Sequence, residues 1–135
     1  KVIVFAHKSH PLAKRKSIRI EELEGARMVL RESGSTTRRA LEAALTRHGV
    51  TINPVMEIGS REAVWLAVAR GIGLGVVSDI EFIKHPDLRT IEIENADIHT
   101  TAHVNCLMER RDSRLVSAFF DVAAETRKLR QGDPV

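Results

Sequence analysis

Apolar residues fall along this chain in short runs of two periods. Residues 2–6 (VIVFA) are continuous and rich in β-branched side chains, as expected of a strand buried on both faces. His10-Pro11 closes that run, and 14–16 read as an exposed basic loop. Residues 21–24 suggest a short helical turn stopped by Gly25, and 28–30 a second short buried strand. From 36 to 48, Ala40, Leu41, Ala44 and Leu45 recur at helical spacing until Gly49 ends the helix. Residues 55–58 form a third strand. Ser60 then caps a helix to Arg70, with Ala63, Val64, Ala67 and Val68 facing inward and Gly71 as its stop. Residues 74–77 are a fourth buried strand.

Strand, helix, strand, helix, strand at this spacing predicts an α/β fold with a mostly parallel sheet flanked by helices and right-handed crossovers. Beyond that point the pattern changes. Residues 89–92 and 100–108 alternate like edge or antiparallel strands, and 114–129 predict a last helix with Leu115, Phe119, Val122 and Ala123 on one face.

The 135 residues are 43% hydrophobic and 29% charged, enough for one globular domain with a core and too apolar for disorder. The net charge of +3 is mildly basic. Basic residues gather at 8–19 and 127–130, where solvated loop and helix charge is favoured over nucleic-acid contact. A single cysteine excludes an internal disulfide and suits a reducing, cytoplasmic setting. Cys106 sits in an apolar alternation and reads as a small core residue. No run reaches the ~18–20 apolar residues of a membrane span. The chain opens on a strand-like run without Met and reads as part of a longer protein.

In an open parallel α/β sheet, ligands bind beyond the carboxyl ends of the strands. Here the residues after three strands are alike: Ser33-Gly34-Ser35-Thr36-Thr37 after 28–30, Gly59-Ser60-Arg61 after 55–58, and Ser78-Asp79 after 74–77. The first of these joins a strand to a helix, so it presents unpaired N–H groups and hydroxyls at the positive end of a helix dipole. It predicts a receptor for a small anion. Ser35 and Ser60 also read simply as N-caps, each worth about 1 kcal/mol, and that role is compatible with ligand contact. Arg31 and Arg38 could pair with an anion but read first as surface charges.

Other motifs exclude chemistry more than they suggest it. Gly71-Ile-Gly-Leu-Gly75 precedes a strand, whereas a dinucleotide fingerprint follows one and opens a helix. No Gly-Lys-Ser/Thr phosphate loop, Gly-x-Ser-x-Gly elbow or His/Cys set at metal-ligand spacing occurs, so neither a cofactor, a metal nor a catalytic residue is expected. Trp65 is as readily a packing residue as a contact. A helix-turn-helix within 36–70 is excluded by the intervening strand at 52–58.

His10-Pro11-Leu12-Ala13, LRESGSTTRRALEAAL and EIGSREAVWLAVARGIGLGVVSD, in that order and spacing, resemble the effector-binding domain of LysR-type transcriptional regulators. The resemblance runs through the closing helix with LVSAFFDV. It implies a periplasmic-binding-protein-like (type II) fold with two subdomains joined by two crossing strands. On that pattern, residues 1–135 are a partial effector-binding domain. Residues 11–88 form the second α/β subdomain, 1–7 and 100–109 the crossing strands, and 112–131 the helix that packs on the first subdomain. The family's effector contacts fall on Ser33, Gly34, Ser35, Thr36, Ser60, Val77 and Ser78. The resemblance also implies a small metabolite as effector, anionic by the reading of the junction above, and DNA contact only through an N-terminal domain outside this chain. The apolar face of the last helix, with Phe119 and Phe120, then lacks its usual partner and predicts a homo-oligomer, a dimer with exchange of that helix among its forms. A solute-binding transport receptor or an enzyme on the same architecture is the alternative.

Overall fold

The computed structural model describes residues 1–130, in two compact units divided after Thr100. In the first unit, β1 (Val2–His7), β2 (Ser17–Ile18), β3 (Arg27–Arg31), β4 (Asn53–Ile58), β5 (Gly75–Ser78) and β6 (Leu88–Ile93) alternate with α1 (Thr36–His48) and α2 (Arg61–Ala69). β2, β6, β1 and β5 lie in that order in one sheet. β3 and β4 pair in parallel, and β3 joins β5 through a parallel bridge at Met28 and Leu74. Two hydrogen bonds close this junction, Val29 N–H to the Leu74 carbonyl and Leu74 N–H to that of Arg27, both 2.8 Å. The result is one layer ordered β4-β3-β5-β1-β6-β2.

The mostly parallel sheet expected from the sequence is present, with one strand reversed. β1 runs antiparallel to both its neighbours, β5 and β6. Its side chains alternate between two cores. Val2, Val4 and Ala6 join one cluster with Leu41, Ala44 and Leu45 of α1, while Ile3 and Phe5 join the other with Val64, Ala67 and Val68 of α2. The helices therefore cover opposite faces. The crossover from β3 to β4 runs outward and the one from β4 to β5 runs back, so a common right hand requires this placement.

The helix ends follow local chemistry. Ser35 and Ser60 cap α1 and α2 with side chains that accept from the N–H groups of Arg38 and Ala63, and Gly49 ends α1 at φ 65°, where an L side chain is strained. His10 caps the 3-10 turn Pro11–Lys14, its Nδ1 accepting from the Leu12 N–H, so the start of the loop read as irregular is ordered.

β6 is antiparallel to β1, as the alternation suggested, and β2 pairs in parallel along its other side. Two expectations need correction. The alternating run at 100–108 forms no strand: residues 101–107 are irregular and exposed, and a 3-10 turn follows at Met108–Arg110. Alternation gives a strand only where another strand accepts its hydrogen bonds, and none pairs with this run among the described residues. Cys106, in the same run, is exposed rather than a core residue. The second unit's helix, α3 (Arg114–Arg130), matches the predicted span, and Leu115, Phe119 and Val122 are exposed on it. The end of the expected 112–131 segment, residue 131, lies outside the described residues.

In the Gly71–Gly75 run, Gly71 follows α2 at φ 75°, where an L side chain is strained, and the other two glycines are set by packing. A Cβ on Gly73 would sit 2.7 Å from the Arg27 carbonyl oxygen, and one on Gly75 would enter the ring of fully buried Phe5. Phe5 and Gly75 are direct partners in the β1–β5 register. Gly75→Ala is expected to destabilise the fold by about 2 kcal/mol, the cost of overpacking a filled core. A lower urea midpoint would show it, and an unchanged midpoint would contradict this packing.

Candidate functional site

The carboxyl ends of β3 and β5 and the starts of α1 and α2 surround a cavity of about 230 Å³. Its polar edge is Arg31, Gly34, Ser35, Thr36 and Thr37; its apolar floor is Val64, Trp65, Val76 and Val77; Arg61 and Glu81 complete it. The volume is below the ~300–1,000 Å³ usual for drug-sized ligands, which points to a small molecule.

The loop from Glu32 to Ser35 is a tight turn, with the Ser35 N–H donating to the Glu32 carbonyl at 2.9 Å. It delivers the chain into α1 with Ser35 as N-cap, so the Arg38 N–H is satisfied by the Ser35 hydroxyl. The N–H groups of Thr36 and Thr37 have no acceptor among the described residues, because a helix's first N–H groups have no preceding carbonyl to bond. Both residues line the cavity, at the end of α1 where the helix dipole favours negative charge.

The neighbouring arginines are engaged. Arg38 is largely buried and donates to the Arg31 carbonyl at 2.7 Å, to Glu57 at 2.6 Å and to Glu42 at 2.7 Å. Through Nε and Nη1 it ties the end of β3 to α1 and β4. Arg31 grips Glu32 through two parallel bonds of 2.8 Å. That pairing pushes the guanidinium of Arg31 up and holds the Glu32 carboxyl below its ordinary value, each because the bond favours the charged form. Arg61 makes a single contact, Nη2 to Glu81 Oε1 at 3.0 Å. Within the basic run at 8–19, Lys8 pairs with Asp87, Arg15 with Glu22 and Arg19 with Glu21. These pairs favour the solvated-charge reading of that run.

Of the seven residues singled out from the sequence, Gly34, Ser35, Thr36 and Val77 line the cavity. Ser33 is exposed beside it on the same loop. Ser60 is committed to its own helix, accepting from the Ala63 N–H at 3.3 Å and donating to Glu62 at 2.9 Å. Ser78 is buried in the sheet at the last β5 position, opposite Val2. One rim of three hydroxyl clusters is therefore not what forms; the β3–α1 loop supplies the polar edge. Arg61 and Glu81 were not singled out from the sequence. The available signal was an arginine directly after an N-cap and an acid just after a strand, both at the carboxyl edge of the sheet. Trp65 is both packing residue and lining, meeting Phe5 edge-to-face (centroids 6.2 Å apart) and Phe82 at a tilt (5.7 Å).

Residues 1–128 match the family model described as LysR substrate binding domain. The chain belongs to that family. The HTH-type transcriptional activator CmpR of Synechocystis sp. is 32% identical over 124 residues, which are 89% of this chain and 40% of the relative. The chain thus spans well under half the length of that curated relative. Among solved structures, the CcmR regulatory domain of Synechocystis PCC6803 in complex with 2-PG aligns with a TM-score of 0.70 at 27% identity, over 90% of this chain and 60% of that one. The BenM effector binding domain with its effector benzoate aligns at 0.60 and 21% identity, over 72% and 46%; at that identity the likeness is one of fold. The fold is the type II periplasmic-binding-protein-like architecture of LysR effector-binding domains.

Proposed function

We propose that this domain is the sensing part of a LysR-type transcriptional regulator and that it binds a small anionic metabolite at the β3–α1 loop. One observation carries the reading: Thr36 and Thr37, whose N–H groups have no acceptor among the described residues, line a cavity that also has an apolar wall of Val64, Trp65, Val76 and Val77. Backbone donors fixed by a helix start bind an anion with little rearrangement. The hydroxyls of Ser33, Ser35 and Thr36 and the Gly34 backbone would complete the shell, with Val77 beneath. Ser78 and Ser60 are assigned the supporting roles of ending β5 and starting α2. Ligand bound here would favour one arrangement of this domain against the rest of a longer regulator, a population shift passed to DNA-binding domains elsewhere in that protein. The relatives' names favour regulation over a transport receptor or an enzyme. A cytoplasmic location follows from the same reading, and among the described residues no helix is long and apolar enough to cross a membrane.

A thermal-shift screen of small carboxylates, sulfate and phosphonates would identify a ligand. With that ligand, the double change Ser35→Ala, Thr36→Ala is expected to lower calorimetric affinity about tenfold, the loss of two modest hydrogen bonds. Unchanged affinity would remove this loop from the site.

The proposal extends to self-association. Leu115, Phe119 and Val122 are exposed on α3, and apolar faces of that kind are usually covered by another surface. A homodimer, formed by exchange of this helix, is the proposed arrangement. Sedimentation should show a concentration-dependent dimer; a monomer over the whole range would contradict it.

A further inference from the structure

The cavity beside Thr36 shares a wall with a second cavity. An apolar space of about 330 Å³ opens among Leu66, Ala69, Ile83 and Leu88, and Arg61, Trp65 and Glu81 line both it and the first. Arg61 is the first residue of α2, and Glu81 ends the 3-10 turn Asp79–Glu81 that follows β5. Trp65, one turn further along α2, packs on Phe82, the residue after Glu81. The ion pair and the aromatic contact therefore tie the same two elements together.

The charges around the first cavity are not equally held. Arg31 has two parallel bonds to Glu32, and Arg38 has three acceptors. Glu62 accepts from Ser60. Arg61 alone among these guanidiniums rests on one contact, to an acid that also lines the cavity, and both side chains are over a third exposed. A pair so placed contributes little to stability, so exchanging its carboxylate for another anion costs little. The cavity is small enough for one ligand to touch both Thr36 and Arg61.

We propose that Glu81 is a built-in competitor for the anion. In the free domain its carboxylate holds Arg61; an anionic group docked on Thr36 and Thr37 takes that guanidinium over and releases the Asp79–Glu81 turn. This rests on the anion-site reading given above. Because Arg61, Trp65 and Glu81 also wall the apolar cavity, the exchange alters that cavity's shape. Occupancy of a polar site is thereby converted into a change on an apolar surface.

The chain contains one tryptophan, so Trp65 reports this wall directly. The test is a titration of the wild-type chain, Glu81→Gln and Arg61→Gln with inorganic phosphate. Trp65 emission and the amide resonances of Thr36 and Thr37 are followed together. In the wild type, phosphate should move both amides and shift the emission saturably. Glu81→Gln should bind phosphate about three- to tenfold tighter, since one opposing charge near the site is gone, and its emission without phosphate should already match the saturated wild type. Arg61→Gln should bind at least threefold more weakly and lose the emission change. Both changes are at exposed side chains, and unchanged thermal midpoints will show that the fold is kept. Amides that move while Glu81→Gln binds no tighter than wild type would overturn the competitor role alone. Amides that stay still in both wild type and Glu81→Gln would overturn the anion site itself, and the competitor with it.

Discussion

The seating of the Phe5 ring on the backbone of Gly75 is the contact on which the rest of the first unit depends. It fixes the register of β1 against β5 in the middle of the sheet. β1 feeds both cores from alternate residues, so a slip of one position would exchange Phe5 for Val4 or Ala6 and turn each core inside out. β5 in turn holds β3 through Leu74 and Met28, and β3 holds β4. That line of parallel strands brings Arg31 and Ser78, the last residues of β3 and β5, to the edge where α1 and α2 begin. The cavity is a product of the register, and its apolar lining of Val64, Val76 and Val77 belongs to the same two cores.

The electrostatics of the site follow from the same geometry. A sheet edge where two helices start collects partial positive charge from backbone N–H groups without needing a free arginine. The side-chain cations nearby have been spent on structure: Arg38 staples three elements and Arg31 is closed on Glu32. At the proposed site a ligand would meet a pair of fixed N–H donors and the guanidinium of Arg61, which makes a single contact. Such a site needs little reorganisation on binding, and its response lies in whichever weak contact the ligand displaces.

Much of this was legible in the chain because it is set locally. The strands at 28–30, 55–58 and 74–77 and the helices from Thr36 and from Ser60 appear within a residue or two of the periodicity and caps that predicted them. The β3–α1 loop was legible for the same reason, since Ser35 and Gly49 mark the helix it opens. What failed depends on distant partners. A run such as VIVFA looks the same whether its neighbours run with it or against it, so the reversal of β1 was not readable. The two-residue strand β2 exists only because β6 lies alongside it, and 101–107 has no such neighbour. Ser60 and Ser78 were read from position alone, and the partners the fold gives them could not be: one bonds Glu62, the other is enclosed by the sheet. The pairing of Arg61 with Glu81, twenty residues apart, is likewise a consequence of the fold.

The central claim is that an anion sits on the start of α1. Crystals of the domain soaked in selenate, measured at the selenium edge, test it with no knowledge of the natural ligand. An anomalous peak within hydrogen-bond distance of both the Thr36 and Thr37 nitrogens is the predicted result. Peaks confined to exposed lysines and arginines, with none at this helix start, would contradict it.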